Sequence, residues 1–254
     1  MHAFFSNFRV YFTQFTAILV ERRTLTQTAQ NNTKPHTEET EMEYSFHIYN
    51  KLAKDGAIMA TDKLLNENLG KKNSKMKGAG TSSRAISALK KTEYKHKPPV
   101  VVCVGSDLAI GDSLGPITGS MLLYKTQGLG AFIYGTLAAP VTAKEIRYMR
   151  TFLKETHKGS PVIAIDAAVG DAGDIGLIKI NDTPLRPGAG ANKKLGAIGD
   201  ISIMGVVAEK SVANYGLLNT TRLNLVYTMS EIISDAIANL LWERCGKNGI
   251  AKSQ

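Results

Sequence analysis

The sequence predicts an α/β fold, a three-layer sandwich in which helices flank a mostly parallel β-sheet. Two runs, VVVCVG from Val100 and PVIAI from Pro161, are apolar at almost every position. Such runs are typical of strands buried on both faces, as in a parallel sheet. After residue 98, strand-like and helix-like patterns alternate along the chain. This alternation favours a sandwich over an all-helical or all-β fold.

The first 97 residues carry weaker patterns than the rest. Residues 1–43 begin with an aromatic stretch and continue with a polar stretch, so we expect a poorly ordered or amphipathic N-terminal extension. Residues 44–97 are expected to form a helical segment, over 44–69, followed by a basic linker rich in Gly, Lys and Ser. Residues 98–246 are expected to form the α/β domain.

The elements of this domain are assigned from local patterns. Thr142 and Glu145 form a capping box that predicts a helix start, and Gly159 predicts its end. The run that begins at Pro161 is expected to end just before Asp166. Further strands are expected over 131–137, 177–180 and 201–207, and further helices over 117–127 and 222–243.

Composition limits the classes of protein that need to be considered. The 254 residues are 43% hydrophobic, which is enough to form a buried core, and no apolar run reaches the roughly 18–20 residues of a membrane span. Cys103 and Cys245 form no CxxC pair, which favours a reducing compartment and argues against a zinc framework. The net charge of +9 lies mainly before residue 100 and is interpreted as a solvated arm. No firm signal for nucleic acid accompanies it, because aromatic residues are not interleaved with the charges.

Aspartates follow two of the expected strands. Asp107 and Asp112 lie in the loop after VVVCVG, and Asp166 follows VIAI. Ligands of open α/β sheets bind outside the carboxyl ends of the strands, so Asp112 and Asp166 can face one crevice if the two strands are neighbours. Two close carboxylates suit proton transfer, and they equally suit a divalent metal. The structural alternative is that each aspartate caps a helix or stabilises a turn.

A second loop, PLRPGAGANKKLGAIGD, combines glycines with positive charge. Arg186, Gly188, Gly190 and Lys193 are candidates for binding a substrate there, as are Asp107 and Gly111 in the first loop. The glycines fit neither the phosphate-binding pattern GxxxxGK[ST] nor the dinucleotide pattern GxGxxG. The five histidines show no ligand pair at helical spacing, so neither a metal nor another cofactor is predicted.

Three separated segments resemble one family. VVVCVGSDLAIGDSLGP, PVIAIDAAVG and RPGAGANKKLGAIGDISIMGVV, followed by a long C-terminal helix, are similar to the YyaC family of sporulation proteins. That family is similar in fold to the spore germination protease and to the hydrogenase-maturation endopeptidases. The resemblance covers about residues 98–245.

The resemblance implies a peptidase-like fold and activity on a protein or peptide substrate during sporulation or germination. It also implies functional aspartates at Asp112, in GDSLGP, and Asp166, in AIDAA. The maturation endopeptidases use a histidine beside these positions to recognise nickel, and this sequence lacks a counterpart. The expected protein is therefore a spore-associated endopeptidase of the cytoplasm in the developing spore or mother cell. The alternative is a catalytically silent protein of this fold that binds a protein partner or a metal.

Overall fold

A computed structural model of the chain describes residues 42–77, 97–187, 196–210 and 221–249. The expected N-terminal extension, much of the basic linker and three of the candidate binding residues, Gly188, Gly190 and Lys193, lie outside these residues. None of the helices in the described residues is both long and apolar enough to cross a membrane.

The described residues confirm the three-layer α/β fold with its mostly parallel sheet. Its six strands lie in the order β1-β5-β6-β4-β2-β3. The neighbours β6, β4, β2 and β3 run parallel, whereas β5 is antiparallel to both β6 and β1. The strands span Glu43–His47 (β1), Val100–Cys103 (β2), Phe132–Tyr134 (β3), Val162–Gly170 (β4), Leu177–Asn181 (β5) and Ile201–Glu209 (β6).

Helices cover both faces of the sheet. They span Ala53–Lys77 (α1), Leu114–Lys125 (α2), Ile146–Thr156 (α3) and Leu223–Gly249 (α4). The chain passes from β2 outward to β3 through α2, and then back past β2 to β4 through α3. Right-handed crossovers in opposite directions place their helices on opposite faces. One face accordingly packs against α1, α2 and α4, and the other packs against α3.

Both faces of the central strands are buried, which explains the continuous apolar runs. In β2, Val101 and Cys103 contribute to the cluster under α1, α2 and α4, whereas Val100 and Val102 contribute to the cluster under α3. All four side chains are fully buried. A strand with two buried faces has no polar positions, so the period-2 alternation of a half-exposed strand is absent.

The first strand and helix differ from the expectation. No strand was predicted before residue 100, yet β1 is an edge strand of the same sheet, paired with β5. Only Phe46 of β1 is fully buried, so the strand has little apolar signal. α1 begins after β1 and continues to Lys77, through part of the stretch predicted to be linker. Its buried residues Leu64 and Leu65 belong to the main core.

Two boundaries within the α/β domain were also wrong. β4 does not end before Asp166 but continues to Gly170, because β6 pairs with it from Ile163 to Gly170. The Glu145 carboxylate accepts a hydrogen bond from the Thr142 N–H at 2.9 Å, as a capping box requires. However, residues 142–145 form a turn, and α3 begins only at Ile146.

Candidate functional site

The candidate site lies where β2 ends beside β4. The connection from β2 goes to β3 on one side, whereas β4 lies on the other side, which makes this a switch point in the strand order. The carboxyl ends of parallel strands diverge at such a point and leave a crevice. β2 ends at Cys103, opposite Ile165, so the next residue of β4, Asp166, has lost its neighbouring strand on that side.

The loop after β2 returns Asp112 to this crevice. Gly105 has a φ of +140° and leaves no room for a Cβ, which would overlap the carbonyl oxygen of Asp112. The Ser106 N–H donates to that oxygen at 3.1 Å and closes the loop. Asp112 lies in a short 3-10 turn, Gly111–Ser113, that leads directly into α2. The loop therefore holds Asp112 over the end of β2.

Close packing of α2 fixes the same loop from below. A Cβ at Gly115 would overlap the carbonyl oxygen of Val104, and one at Gly119 would overlap that of Gly135. The first two turns of α2 therefore rest on the backbone just after β2 and β3, with no side chain between them. This contact sets the distance of the Asp112 turn from β4.

Asp166 lies within β4 on the face that α3 covers. Its neighbour two residues earlier, Ala164, belongs to the core cluster under α3, and side chains two apart in a strand share a face. Met204 of β6 is its register partner. One carboxylate oxygen accepts a hydrogen bond from the Ala167 N–H at 2.8 Å. As whole residues, Asp166 and Asp112 are both partly exposed.

The two carboxyl groups have unequal electrostatic environments. Burial raises the pKa of Asp166 well above its usual range, and the nearby charge of Asp112 raises it further, against a smaller opposing effect of the Ala167 N–H. Burial also raises the pKa of Asp112, and the Ser106 N–H opposes that rise. Since Asp166 experiences the larger shift, it is the better proton holder of the two, and Asp112 is the one that ionises first.

An unequal carboxyl pair can carry out acid and base chemistry together. The ionised carboxylate accepts a proton, and the protonated one donates a proton. The helix-cap alternative for Asp112 finds no support in the described residues, because neither the 3-10 turn nor α2 has a side-chain hydrogen bond at its N-cap. The turn-stabilising alternative is not tested by these contacts. Asp166 does bond its neighbour's N–H, but its second oxygen has no hydrogen bond within the described residues.

The other candidate binding residues are not all found beside Asp112 and Asp166. Gly111 is buried in the Asp112 turn, and Asp107 is exposed at the tip of the same loop. Arg186 is exposed beside the Leu185–Ile198 bridge. No hydrogen bond or ion pair within the described residues joins Arg186 to either aspartate. Gly188, Gly190 and Lys193 cannot be placed, because they lie outside those residues.

Sequence reasoning missed two features of the crevice. The first is the position of two backbone N–H groups: that of Ala167 bonds the Asp166 carboxylate, and that of Ser106 opposes the rise in the pKa of Asp112. The second is an exposed apolar rim: Leu108 is 91% exposed and Ile110 38% exposed in the loop that carries Asp112. The letters LAI between polar residues in GSDLAIGD were a signal for this rim, since a surface loop rarely needs large apolar side chains.

The metal alternative rests on the same two carboxylates. Oxygen ligands suit hard divalent cations, which ordinarily take six or more of them, several from water. Within the described residues, no group of three or more His, Cys, Asp or Glu side chains is arranged to hold a metal ion. An ion held by Asp112 and Asp166 would therefore lack a third acidic, histidine or cysteine ligand among the described residues.

Fold and site together define a three-layer α/β protein with an acidic crevice at the switch point of its sheet. The chain belongs to the family described as "Protein of unknown function (DUF1256)", whose family model matches residues 73–236. It is 41% identical over 142 residues to the Bacillus subtilis (strain 168) protein described as "Uncharacterized protein YyaC". That match covers 56% of this chain and 69% of the relative, and it confirms membership of the YyaC family.

Proposed function

We propose that the protein is an endopeptidase in which Asp112 and Asp166 activate water for attack on a peptide bond. The observation that carries this proposal is the unequal pair of carboxyl groups at the switch point, one with a strongly raised pKa beside one that ionises more readily. Such a pair supplies a base and an acid within one crevice. Both aspartates are partly exposed as whole residues.

In the proposed reaction, ionised Asp112 accepts a proton from water as the water oxygen bonds to the carbonyl carbon. Protonated Asp166 donates its proton to the carbonyl oxygen, which gives a neutral tetrahedral intermediate. When the C–N bond breaks, the leaving nitrogen takes the proton from Asp112, and a hydroxyl of the intermediate returns a proton to Asp166. The pair thus ends in the protonation state in which it began.

The substrate is proposed to be a protein cleaved during sporulation or germination. The support for this setting is the resemblance to sporulation proteins and to the germination protease. The location that we propose with it is the cytoplasm of the developing spore or mother cell. Asp107 and Gly111 would shape the substrate groove from the first loop. Arg186, Gly188, Gly190 and Lys193 would shape it from the second.

A catalytically silent protein of this fold is the second candidate. The exposed apolar rim of Leu108 and Ile110 favours contact with a protein, and such contact needs no chemistry. The Asp166 carboxylate also accepts a hydrogen bond from the Ala167 N–H, so it can have a structural role in which no substrate takes part. In this case the crevice would bind a protein partner or a metal ion without cleaving anything.

The test is a search for new peptide termini. An extract of sporulating cells of a spore-forming bacterium is incubated with the wild-type protein, Asp112→Asn or Asp166→Asn, and new N-termini are labelled and identified by mass spectrometry. We expect termini that appear with the wild type and fall at least about a hundredfold with either variant, the size typical of loss of an acid or base.

Asp171→Asn is the matched control, because Asp171 is an exposed turn residue of the same type outside the crevice. It should cleave as the wild type does. The endopeptidase proposal fails if folded wild-type protein yields no new termini, or if the two crevice variants cleave like the control.

A further inference from the structure

A cavity of about 1050 Å³ lies apart from the aspartate crevice. It is bounded by the outer side of α3, by the turn that follows α3 and by the amino ends of β4 and β6, near Val162 and Asp200. Asp166 lies four residues further along β4, or about 13 Å at the rise of a strand. The volume of the cavity is close to the upper end of the range that is typical of sites for small organic molecules.

Positive charge dominates the lining. Four basic side chains contribute to it, and two acidic ones do, Glu155 and Asp200. The basic residues are Arg147, Arg150, Lys154 and Lys158. Within the described part of the chain, none of these four forms an ion pair. By contrast, the Asp200 carboxylate accepts a hydrogen bond from the Val162 N–H at 3.0 Å. One of its oxygens is therefore already engaged with the backbone.

The placement of these cations is unfavourable for the helix itself. Arg147 and Arg150 are three residues apart in α3, and Lys154 follows four residues later, so like charges are neighbours on one helix face. Arg147 also lies in the first turn, where the helix dipole disfavours a cation. The dipole favours Lys154 near the other end but does not explain Arg147. An anion bound between these side chains would offset both costs.

The backbone opposite the helix makes room for Arg150. Gly196 has a φ of +83°, and a Cβ there would overlap the Arg150 guanidinium. The guanidinium therefore lies directly against the Gly196 backbone at the cavity wall. At the other end, Lys97 donates to the carbonyl oxygen of Lys158 at 2.9 Å.

We propose that this cavity binds a small organic molecule that carries two or more phosphate groups. The cationic row from Arg147 to Lys154 extends about 10 Å along the helix, which is longer than one phosphate needs. Arg and Lys are the side chains that recognise phosphate oxygens, Arg through two parallel hydrogen bonds and Lys as a point charge. Leu153 and Val162 add apolar surface for the organic part.

Calorimetry on the full chain tests the proposal with three probes at fixed ionic strength: inorganic tripolyphosphate, ATP and inorganic phosphate. Tripolyphosphate and ATP should bind at least about tenfold more tightly than phosphate. Tighter binding of ATP than of tripolyphosphate would identify an organic ligand, and equal binding would identify the phosphate chain alone as the recognised group. Arg150→Gln and Lys154→Gln should each weaken binding about tenfold.

Both substituted side chains are exposed, so the variants should fold, and thermal melting verifies this. Lys51→Gln removes an exposed lysine remote in sequence from α3 and should bind like the wild type. The proposal is overturned if neither polyphosphate binds, or if Lys51→Gln weakens binding as much as the cavity variants. It is also overturned if a single-stranded oligonucleotide binds through Arg150 and Lys154 while tripolyphosphate does not, which would make the surface a nucleic-acid site.

Discussion

At the scale of single residues, the function proposed for this protein depends on two carboxyl groups in unequal surroundings. Asp166 lies in β4 just past the end of its pairing with β2, where only β6 still pairs with it, and Asp112 is held by a turn that returns over the same place. Neither residue type nor spacing alone separates their roles. The separation comes from burial, from the mutual charge and from one backbone N–H at each carboxyl.

Replacing Asp166 by Asn should stabilise the protein near neutral pH. The pKa of Asp166 is raised in the folded state, so its contribution to stability is fully present below the unfolded pKa and is lost as pH rises toward the folded pKa. Asn resembles the protonated acid and never ionises. We therefore expect Asp166→Asn to raise the free energy of unfolding by on the order of 1 kcal/mol at pH 7.5, with the gain disappearing near pH 4.

Urea unfolding of both proteins across this pH range measures the effect. Asp171→Asn, which changes an exposed carboxyl, should track the wild type at every pH. A loss of stability in Asp166→Asn that is larger at pH 7.5 than at pH 4 would contradict a raised pKa.

The sequence predicted both aspartates because they lie beside strongly apolar strands. It did not predict that Asp166 lies inside β4, since the extension of that strand depends on pairing with β6 through Gly170. Nor could it predict the ionisation order, because burial and the approach of Asp112 are set by the tertiary fold. The cationic cavity was missed for a related reason: its charges are scattered through α3 and converge only when the helix packs on the sheet.

At the scale of elements, the contact between α2 and the sheet positions the site. Gly115 rests on the Val104 carbonyl, and Gly119 rests on that of Gly135. A strand-to-helix connection this close requires residues with no side chain at the contact. The sequence places Gly115 in the loop after VVVCVG and Gly119 in the helix expected over 117–127, and neither pattern indicates a packing role. Their packing role appears only when the helix is placed.

Gly115→Ala should destabilise the protein and displace Asp112. At an ordinary helix position, replacing Gly by Ala stabilises a protein by roughly 0.5–1 kcal/mol. A loss of stability on this substitution would therefore indicate a steric clash. Because the new Cβ would overlap the Val104 carbonyl oxygen, we expect a loss of about 1–3 kcal/mol in the free energy of unfolding. Any peptidase activity should fall as well, because Asp112 would be displaced. Urea unfolding measures the stability, and the labelling of new peptide N-termini measures the activity.

Gly173→Ala provides the comparison, since a Cβ at Gly173 meets nothing within 4 Å. This variant should stay within about 0.5 kcal/mol of the wild type. If Gly115→Ala proved as stable as Gly173→Ala, α2 would not rest on the sheet as described.

At the scale of the whole molecule, the sheet extends beyond the region that the family model matches. That region, residues 73–236, leaves out β1 and most of α1. Yet Phe46, Leu64 and Leu65 are buried in the main core, and Arg244 of α4 donates to the Asp62 carboxylate of α1. The weak pattern of residues 44–68 concealed this role, because most of their side chains are exposed or partly exposed.

A piece of the chain that begins at residue 78 should therefore fail to fold cooperatively. It would uncover the face of α4 that packs on α1 and would leave β5 as an unpaired edge. A piece that begins at Met42 retains every described element and should unfold in one cooperative transition. Thermal melting by circular dichroism, with binding of a hydrophobic dye, compares the two. Cooperative melting of both pieces would show that β1 and α1 are dispensable for the core.

The claim on which the account depends is that Asp112 and Asp166 share one proton near neutral pH. Carbon-13 NMR of protein labelled at the aspartate side-chain carboxyl carbons tests it directly, through a pH titration of the wild type, Asp112→Asn and Asp166→Asn. We predict one carboxyl signal that titrates far above the ordinary aspartate range, is absent in Asp166→Asn and moves to lower pH in Asp112→Asn. A wild type in which every aspartate titrates near pH 4, with no change in Asp112→Asn, would contradict the account.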